Sequence, residues 1–245
     1  MLNAPARNVV VTGGSRGLGL GIARQLAASG FRVVAVARQE GEALAAARTE
    51  LGDRLRFQAA DLADLALLPD LLRGLRRDFG PIYGLVNNAG LGTSGVLANM
   101  PDAAIERLIR LNVVSPITLT KYALRSMMAA GAGRIVMIAS VVASTGYSGL
   151  SVYGASKASL LGFARSLARE VGVLDITVNA VAPGFIDTEM TRELDAGHRA
   201  QIARRSALKR LPEVADVAAA VDYLFSPGAR NVTGTVLTVD AGNTV

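Results

Sequence analysis

A tyrosine and a lysine stand four residues apart, at Tyr153 and Lys157, in a stretch whose apolar spacing predicts a long helix over residues 152–171. At that spacing the two side chains lie on one face of the helix. Thirteen residues before the tyrosine, Ser140 follows the apolar run 134–139, which predicts a strand. A phenol with a pKa of about 10 is about three units from neutrality, and a neighbouring ammonium would favour its anion. The spacing therefore indicates a proton donor that works near neutral pH.

These groups meet the needs of ketone reduction, which requires a hydride donor, an acid and a group that polarises the carbonyl. Tyr153 would act as the acid, and the hydroxyl of Ser140 would donate a hydrogen bond to the substrate oxygen. Asn112 interrupts a helical pattern over residues 102–130, which we expect to bend near 112–116. The structural alternative is a helix tyrosine beside a salt-bridging lysine, with a serine buried at a strand end.

A glycine-rich turn lies near the start of the chain, where Gly13, Gly17 and Gly19 separate the apolar run 8–12 from a helical pattern over 17–29. Glycines at a strand–turn–helix junction let the backbone approach a pyrophosphate, which the helix N-terminus attracts. The spacing is Gly-x-x-x-Gly-x-Gly rather than the commoner Gly-x-Gly-x-x-Gly. It predicts nucleotide binding, the alternative being a purely structural turn.

The residue after the second predicted strand, 32–37, indicates which dinucleotide binds. NAD sites place an acidic residue there to accept the ribose 2′-hydroxyl, whereas this chain has Arg38 and then Gln39. Arg16 lies within the glycine turn, and two guanidinium groups suit a 2′-phosphate. We therefore expect NADP(H); the alternative is that both are ordinary surface arginines.

The composition of the 245 residues argues against other classes of function. The chain has no cysteine and a single histidine, so we expect no disulfide, no thiolate catalysis, no Ser-His-Asp triad and no metal site. The net charge of +6 comes mostly from scattered arginines without a run of five like charges, and we expect no nucleic-acid binding. No apolar run approaches the ~18–20 residues of a membrane span, and the first residues lack a signal-peptide pattern. We expect a cytoplasmic protein that binds no membrane.

The fold is predicted by short apolar runs that alternate with Ala- and Leu-rich helical stretches. Runs such as 9–11 and 135–138 are apolar on both faces, which is typical of a parallel sheet with helices on both sides. Right-handed crossovers then give one α/β domain over residues 1–245, a Rossmann-like doubly wound sheet of about seven strands. The predicted strands are 8–12, 32–37, 55–59, 82–87, 134–139, 176–180 and 235–240. The predicted helices are 17–29, 40–51, 64–78, 102–130, 152–171 and 213–225.

Several motifs occur in a fixed order, at residues 12–19, 61–62, 87–90, 112, 140, 153–157 and 183–188. Together they resemble the short-chain dehydrogenase/reductase family over essentially the whole chain. The resemblance implies catalysis by Ser140, Tyr153 and Lys157, with Asn112 holding a water in a proton relay to the lysine. It also implies adenine contacts at residues 61–62, and carboxamide contacts by Ile186 and Thr188. The full cofactor-binding set is Gly13, Ser15, Arg16, Gly17, Leu18, Gly19, Arg38, Asp61, Leu62, Asn88, Ala89, Gly90, Tyr153, Lys157, Pro183, Gly184, Ile186 and Thr188.

Within that family the chain is most similar to 3-oxoacyl-carrier-protein reductases, on residues 166–170, 176–179, 183–190 and 234–240. This resemblance implies NADPH-dependent reduction of a 3-oxoacyl thioester to a secondary alcohol, as in fatty acid biosynthesis, with acyl carrier protein as a partner. The chain departs from the pattern, because Gly131 and Leu174 stand where such reductases commonly carry basic residues that dock the carrier, and Ala241-Gly242 replaces a double glycine. A coenzyme A thioester, another small or polyketide-type ketone, and a non-catalytic NADP(H) sensor remain alternatives.

Residues 183–212 are polar and irregular, with at most short helices, and the segment 188–210 is the expected substrate lid. His198 lies in it and is expected to be a solvent-facing polar residue rather than a catalytic one. The resemblance further implies a homotetramer whose helices over 112–130 and 152–171 pack against their copies. Four small residues of the second helix would permit close contact there, or equally inside one subunit: Ala155, Ala158, Gly162 and Ala164.

Overall fold

The structure, a computed structural model, describes residues 6–186 and 196–245, without the side chains of Ala196 and His198. Seven parallel strands form one sheet in the order β3-β2-β1-β4-β5-β6-β7. The strands are β1 (Asn8–Thr12), β2 (Arg32–Ala37), β3 (Leu55–Ala59), β4 (Ile82–Asn87), β5 (Gly133–Ile138), β6 (Ile176–Pro183) and β7 (Val236–Val239). The order reverses between β1 and β4, and such a switch point opens a crevice at the carboxyl ends of the strands.

Helices cover both faces of the sheet. They are α1 (Gly17–Ala28), α2 (Glu42–Leu51), α3 (Leu68–Phe79), α4 (Asp102–Ile109), α5 (Ser115–Ala130), α6 (Val142–Thr145), α7 (Ser151–Val171), α8 (Ala196–Arg205) and α9 (Val214–Phe225). Within the described residues, none of these helices combines the length and the apolar character needed to cross a bilayer.

Two hydrophobic clusters hold the layers together because successive residues of β1 point to opposite faces of the sheet. Val9 and Val11 pack with apolar residues of α1 and α9 on one face. Val10 packs with residues of α3, α5 and α7 on the other face. Burying a Val or Leu side chain fully contributes about 1.5–3 kcal/mol, so both apolar faces of the strands are used.

The predicted fold class is confirmed, and the strand bounds agree with the prediction to within one residue except at β6, which continues to Pro183 instead of ending at 180 because it pairs with β7 up to that residue. The third helix starts later than predicted, at Leu68, because Asp61 and Asp64 accept hydrogen bonds from the main-chain N–H groups two residues on, at 2.9 and 3.1 Å. Such side-chain turns compete with helix formation. The second helix also starts late, at Glu42, after Gly41 with a φ of 72°.

Two further differences lie near the expected site. The bend expected near residues 112–116 is a π-helix over Arg110–Val114, so α4 continues into α5 without a break. The segment expected to hold at most short helices contains the ten-residue α8. Polarity alone hid this helix, whose Ile202 is buried and whose surface is basic.

Candidate active site

The structure brings Ser140, Tyr153 and Lys157 together at the carboxyl end of β5. Ser140 lies two residues beyond β5, which ends at Ile138 rather than 139, and its hydroxyl is near enough to the phenol of Tyr153 to lower the pKa of that group. Nζ of Lys157 lies 5.8 Å from the centre of the Tyr153 ring. The helical spacing of the tyrosine and lysine in the first two turns of α7 produces this arrangement.

The ammonium of Lys157 is buried without a carboxylate partner among the described residues. It donates one hydrogen bond, 2.8 Å long, to the main-chain carbonyl of Ile138. Burial lowers the pKa of Lys157 to about 8, because the charged form loses its hydration. An ammonium has three donors, so Nζ keeps capacity for hydroxyl or phenolate oxygens that enter the site.

Burial raises the pKa of the Tyr153 phenol, and the neighbouring hydroxyl of Ser140 opposes that shift. That the Lys157 ammonium and the nicotinamide ring together favour the phenolate stays a prediction; in the chain by itself the net shift of the pKa is upward. The physical reason is that the phenolate loses more free energy of hydration on burial than one hydroxyl donor can replace. Tyr153 is consequently a protonated acid at neutral pH.

Asn112 connects the π-helix to α7 through a closed set of buried hydrogen bonds. Its Nδ2 donates to the carbonyl of Leu91 at 2.9 Å and to Oγ of Ser156 at 3.1 Å, and its Oδ1 accepts from the N–H of Leu91 at 2.7 Å. The Ser156 hydroxyl donates in turn to the carbonyl of Tyr153 at 2.7 Å. A π-turn often marks a functional position because it rotates one residue out of helical register. The water relay through Asn112 stays a prediction.

Ser156 is a residue that the sequence argument did not single out. It is completely buried and lies between Tyr153 and Lys157 in the sequence, so its hydroxyl ties the helix that carries both to Asn112. A serine in a helix interior, where it has neutral propensity, was the available signal.

Thr12 and Asn88 brace the glycine turn against the end of β4. The Thr12 hydroxyl donates to the carbonyl of Val86 at 3.2 Å and accepts from the N–H groups of Asn88 and Ala89 at 2.9 and 3.0 Å. Nδ2 of Asn88 donates to the carbonyls of Thr12 and Gly13 at 2.9 and 3.4 Å. The resemblance implies that Asn88 lines the cofactor; in the structure its carboxamide supports the turn.

The glycine turn has the shape and the charge that a pyrophosphate requires. A Cβ on Gly19 would lie 2.2 Å from the carbonyl oxygen of Gly13, which has a φ of +65°, so neither position tolerates a side chain. Gly17, with a φ of +51°, has no atom within 4 Å of a Cβ and faces open space. The N-terminus of α1 has neither a side-chain cap nor an acidic residue in its first turn. Its free N–H groups and positive dipole end fit an anion.

Arg16 and Arg38 lie at neighbouring corners of this turn. Arg38 directly follows β2, and the N–H of Gly13 donates to the carbonyl of Val36 in that strand at 2.8 Å. Arg16 precedes α1, and both arginines are exposed to solvent. The position directly after β2 is thus held by a cation rather than by an acid, and Arg16 adds a second cation in the turn, as a 2′-phosphate would require.

The other expected cofactor residues line the same crevice to different degrees. Asp61 is exposed, whereas the side chain of Leu62 is only 5% exposed and packs in the core, so it offers only its main chain. Ile186 is likewise buried in the core, and Thr188 lies outside the described residues. The remaining residues of the set lie in the glycine turn or at the ends of β4 and β6: Ser15, Leu18, Gly90, Pro183 and Gly184.

Gly90 and Gly184 are positions of close approach. A Cβ on Gly90 would lie 3.2 Å from Oδ1 of Asn112 and 3.5 Å from Nζ of Lys157, so this glycine borders both groups. A Cβ on Gly184 would lie 2.8 Å from that of Asp240. In the described residues, no cluster of three acidic or histidine side chains could hold a metal ion.

Comparison with known proteins identifies the class. Residues 7–199 match the short chain dehydrogenase family. The chain belongs to that family, and its predicted oxidoreductase class is confirmed.

Three similar proteins span nearly the whole chain. The 3-oxoacyl-[acyl-carrier-protein] reductase FabG of Escherichia coli (strain K12) is 40% identical over 241 residues, which cover 98% of each chain. A crystal structure of a gluconate 5-dehydrogenase from Burkholderia cenocepacia J2315, in complex with NADP and tartrate, has a TM-score of 0.92 and 29% identity, and covers 97% of this chain and 95% of that one. A crystal structure of a blue fluorescent protein from a metagenomic library, in complex with NADPH, has a TM-score of 0.91 and 37% identity over 98% of each chain.

Replacing Ser156 by alanine should destabilise the fold by about 1–3 kcal/mol, because it leaves a buried N–H of Asn112 without an acceptor. Ser159→Ala is the matched control, since the exposed Ser159 makes the same type of bond, to the carbonyl three residues back at 2.7 Å. That control should change the free energy of unfolding by less than ~0.5 kcal/mol. Urea denaturation measures both values, and equal losses would contradict the bridging role of Ser156.

Lys157→Met should stabilise the free protein at pH 7, and the gain should shrink as the pH rises from about 8 to 10. The folded pKa lies below that of the unfolded chain, so the unfolded state binds more protons in this window and wild-type stability rises with pH. The comparison requires the difference in unfolding free energy between the two proteins at pH 7 and at pH 10. A difference independent of pH would show that Lys157 is not buried as an ammonium.

Proposed function

We propose that the protein is an NADPH-dependent reductase that converts the ketone of a 3-oxoacyl thioester to a secondary alcohol. The observation that carries this proposal is the position of Ser140 just beyond β5, with the Tyr153 ring and the buried ammonium of Lys157, 5.8 Å apart, on α7. An acid, a donor for the carbonyl oxygen and a fixed positive charge thus converge at one end of the sheet. A non-catalytic NADP(H) sensor would have no use for this arrangement.

The residues divide the work of reduction between them. A bound NADPH would supply the hydride, and with it two electrons, to the carbonyl carbon and would become NADP⁺. Tyr153 donates its phenolic proton to the carbonyl oxygen, and the C=O bond becomes CH–OH. Ser140 stabilises the developing negative charge on that oxygen with a hydrogen bond. The Lys157 ammonium then stabilises the phenolate that Tyr153 becomes, until a proton from solvent restores it.

The choice of NADP(H) rests on the two arginines beside the glycine turn. Arg16 and Arg38 supply guanidinium groups where an NAD site would have an acid. The two solved relatives were crystallised with NADP and NADPH. The uncapped N-terminus of α1 would hold the pyrophosphate, and the spare donors of Lys157 would hold ribose hydroxyls.

The thioester substrate is supported by the similarity to the FabG reductase, whose name specifies 3-oxoacyl-[acyl-carrier-protein]. The two positions where such reductases commonly carry basic residues for docking the carrier protein have no basic residue in this chain. Gly131 caps α5 in a left-handed conformation with a φ of 62°, and Leu174 packs against the core. A coenzyme A thioester and a carrier-bound thioester are therefore both candidates for the natural substrate.

The assembly and the lid are part of the same proposal. Ala155 and Gly162 are exposed on α7 and would allow a homotetramer contact, whereas Ala164 is buried inside the subunit and is excluded from it. The proposed lid, 188–210, includes α8, while residues 188–195 and the side chain of His198 lie outside the described residues.

Purified protein should oxidise NADPH in the presence of acetoacetyl-CoA, and Tyr153→Phe should lower kcat by about 10²–10⁴-fold because the acid is lost. Tyr223→Phe, which alters a tyrosine 45% exposed on α9, is the control and should keep full activity. The decrease in absorbance at 340 nm measures the rate. Tight NADPH binding without turnover of acetoacetyl-CoA or any ketone of a panel would favour the sensor instead.

Arg38→Asp should shift the preference from NADPH toward NADH, because a carboxylate repels the 2′-phosphate and accepts the 2′-hydroxyl. The ratio of kcat/KM for the two dinucleotides should fall at least about tenfold, the loss of one charge-assisted hydrogen bond. Arg54→Asp, an exposed change just before β3 and at the opposite edge of the sheet, should leave the ratio unchanged. An unmoved ratio in the Arg38 variant would refute the assignment of the 2′-phosphate.

A further inference from the structure

Two aromatic side chains meet next to the proposed proton donor. The ring of Tyr147 lies 5.7 Å from that of Phe185, with an angle of 58° between the planes. Tyr147 belongs to the segment that joins Ser140 to Tyr153, and Phe185 follows the end of β6. Tilted pairs at this distance are favourable contacts, so the rings support each other.

The main chain fixes this pair beside the catalytic groups. The N–H of Val141, the residue after Ser140, donates to the carbonyl of Pro183 at 3.0 Å, two residues before Phe185. The carbonyl of Tyr147 accepts from the N–H of Leu150 at 3.0 Å, in the turn that leads into α7. Both rings are therefore carried by segments that contact the immediate neighbours of the reacting groups.

A second apolar segment borders the same place. The N–H of Gly95 donates to the carbonyl of Gly149 at 3.0 Å, which joins the loop after β4 to the loop that carries Tyr147. The next two residues after Gly95 are Val96 and Leu97, which are 68% and 54% exposed, and Tyr147 itself is 42% exposed. Exposed apolar side chains that cluster beside a crevice are a mark of a binding surface.

We propose that Tyr147, Phe185, Val96 and Leu97 form an apolar channel that binds the alkyl chain of the 3-oxoacyl group and selects substrates longer than four carbons. This inference rests on the proposed function and extends it from the ketone to the chain that the ketone carries. The alkyl chain is the occupant because the channel adjoins the site of the carbonyl and its side chains offer almost no polar group. The thioester end would leave toward solvent on the other side of the carbonyl.

The size of the effect follows from the hydrophobic contribution of each methylene. Full burial of one CH₂ group is worth roughly a fourfold gain in binding. A chain extended by four methylenes over partly exposed side chains would use only part of that gain. We expect kcat/KM for a 3-oxooctanoyl thioester to exceed that for an acetoacetyl thioester at least about tenfold.

The test compares N-acetylcysteamine thioesters of the two acyl groups, so that neither a carrier protein nor coenzyme A contributes. Tyr147→Ala should lower the chain-length ratio of kcat/KM at least about fivefold, because the longer chain loses more contact area than the shorter one. Tyr147→Phe keeps the ring and should keep the ratio. Val96→Ser, on the other loop, should also lower the ratio, and it serves if the first variant folds poorly.

Ethyl 3-oxobutanoate and ethyl 3-oxooctanoate, assayed in parallel, separate this inference from the proposed function. If the thioesters are inert but the esters show the same dependence on Tyr147, the thioester assignment is wrong and the channel stands. A wild-type enzyme that prefers the short chain would overturn the channel. Equal losses for both chain lengths in the alanine variant would do the same, and so would the absence of turnover with every compound.

Discussion

Among the residues that the structure describes, the buried ammonium of Lys157 has no counter-charge, and this is the constraint on which the site depends. Its Nζ donates a hydrogen bond to the carbonyl of Ile138, at the end of β5. Burial lowers the pKa of Lys157 to about 8, yet the amine remains mostly protonated at neutral pH. A buried charge without a partner is unfavourable until negative groups enter. The ammonium therefore creates a positive potential at the carboxyl end of β5, which favours binding of oxygen atoms there.

The rest of the fold serves to keep this charge and the Tyr153 phenol in place. The parallel sheet puts the ends of β1, β4, β5 and β6 at one edge, and Thr12 fastens the glycine turn to that edge. The π-helix turns Asn112 toward α7, where Ser156 links it to the main chain of Tyr153. The side chains of Thr12, Asn112 and Ser156 each find hydrogen-bond partners inside the protein, so the site is preorganised before any ligand enters.

The sequence was sufficient to predict a parallel sheet between two layers of helices, because strands that are apolar on both faces occur mainly in such sheets. It also predicted Ser140, Tyr153 and Lys157 as catalytic residues, and the structure brings the three together at the carboxyl end of β5. It could not show how deeply the phenol is buried, and this burial raises the pKa of Tyr153 in the chain by itself. The π-turn was hidden because one extra residue leaves the apolar pattern of α4 and α5 nearly intact. Ser156 and the bracing carboxamide of Asn88 depend on long-range contacts that no local pattern reveals.

A titration of the lysine side chains by NMR tests the central claim most directly. The chain has three lysines, Lys121, Lys157 and Lys209, so a protein labelled with ¹³C at the lysine Cε gives few signals to assign. One signal, absent from the Lys157→Met variant, should titrate with a pKa of about 8. A Lys157 signal that titrates at the ordinary value for lysine, near ~10.4, would mean that the ammonium is hydrated or paired and would contradict the account.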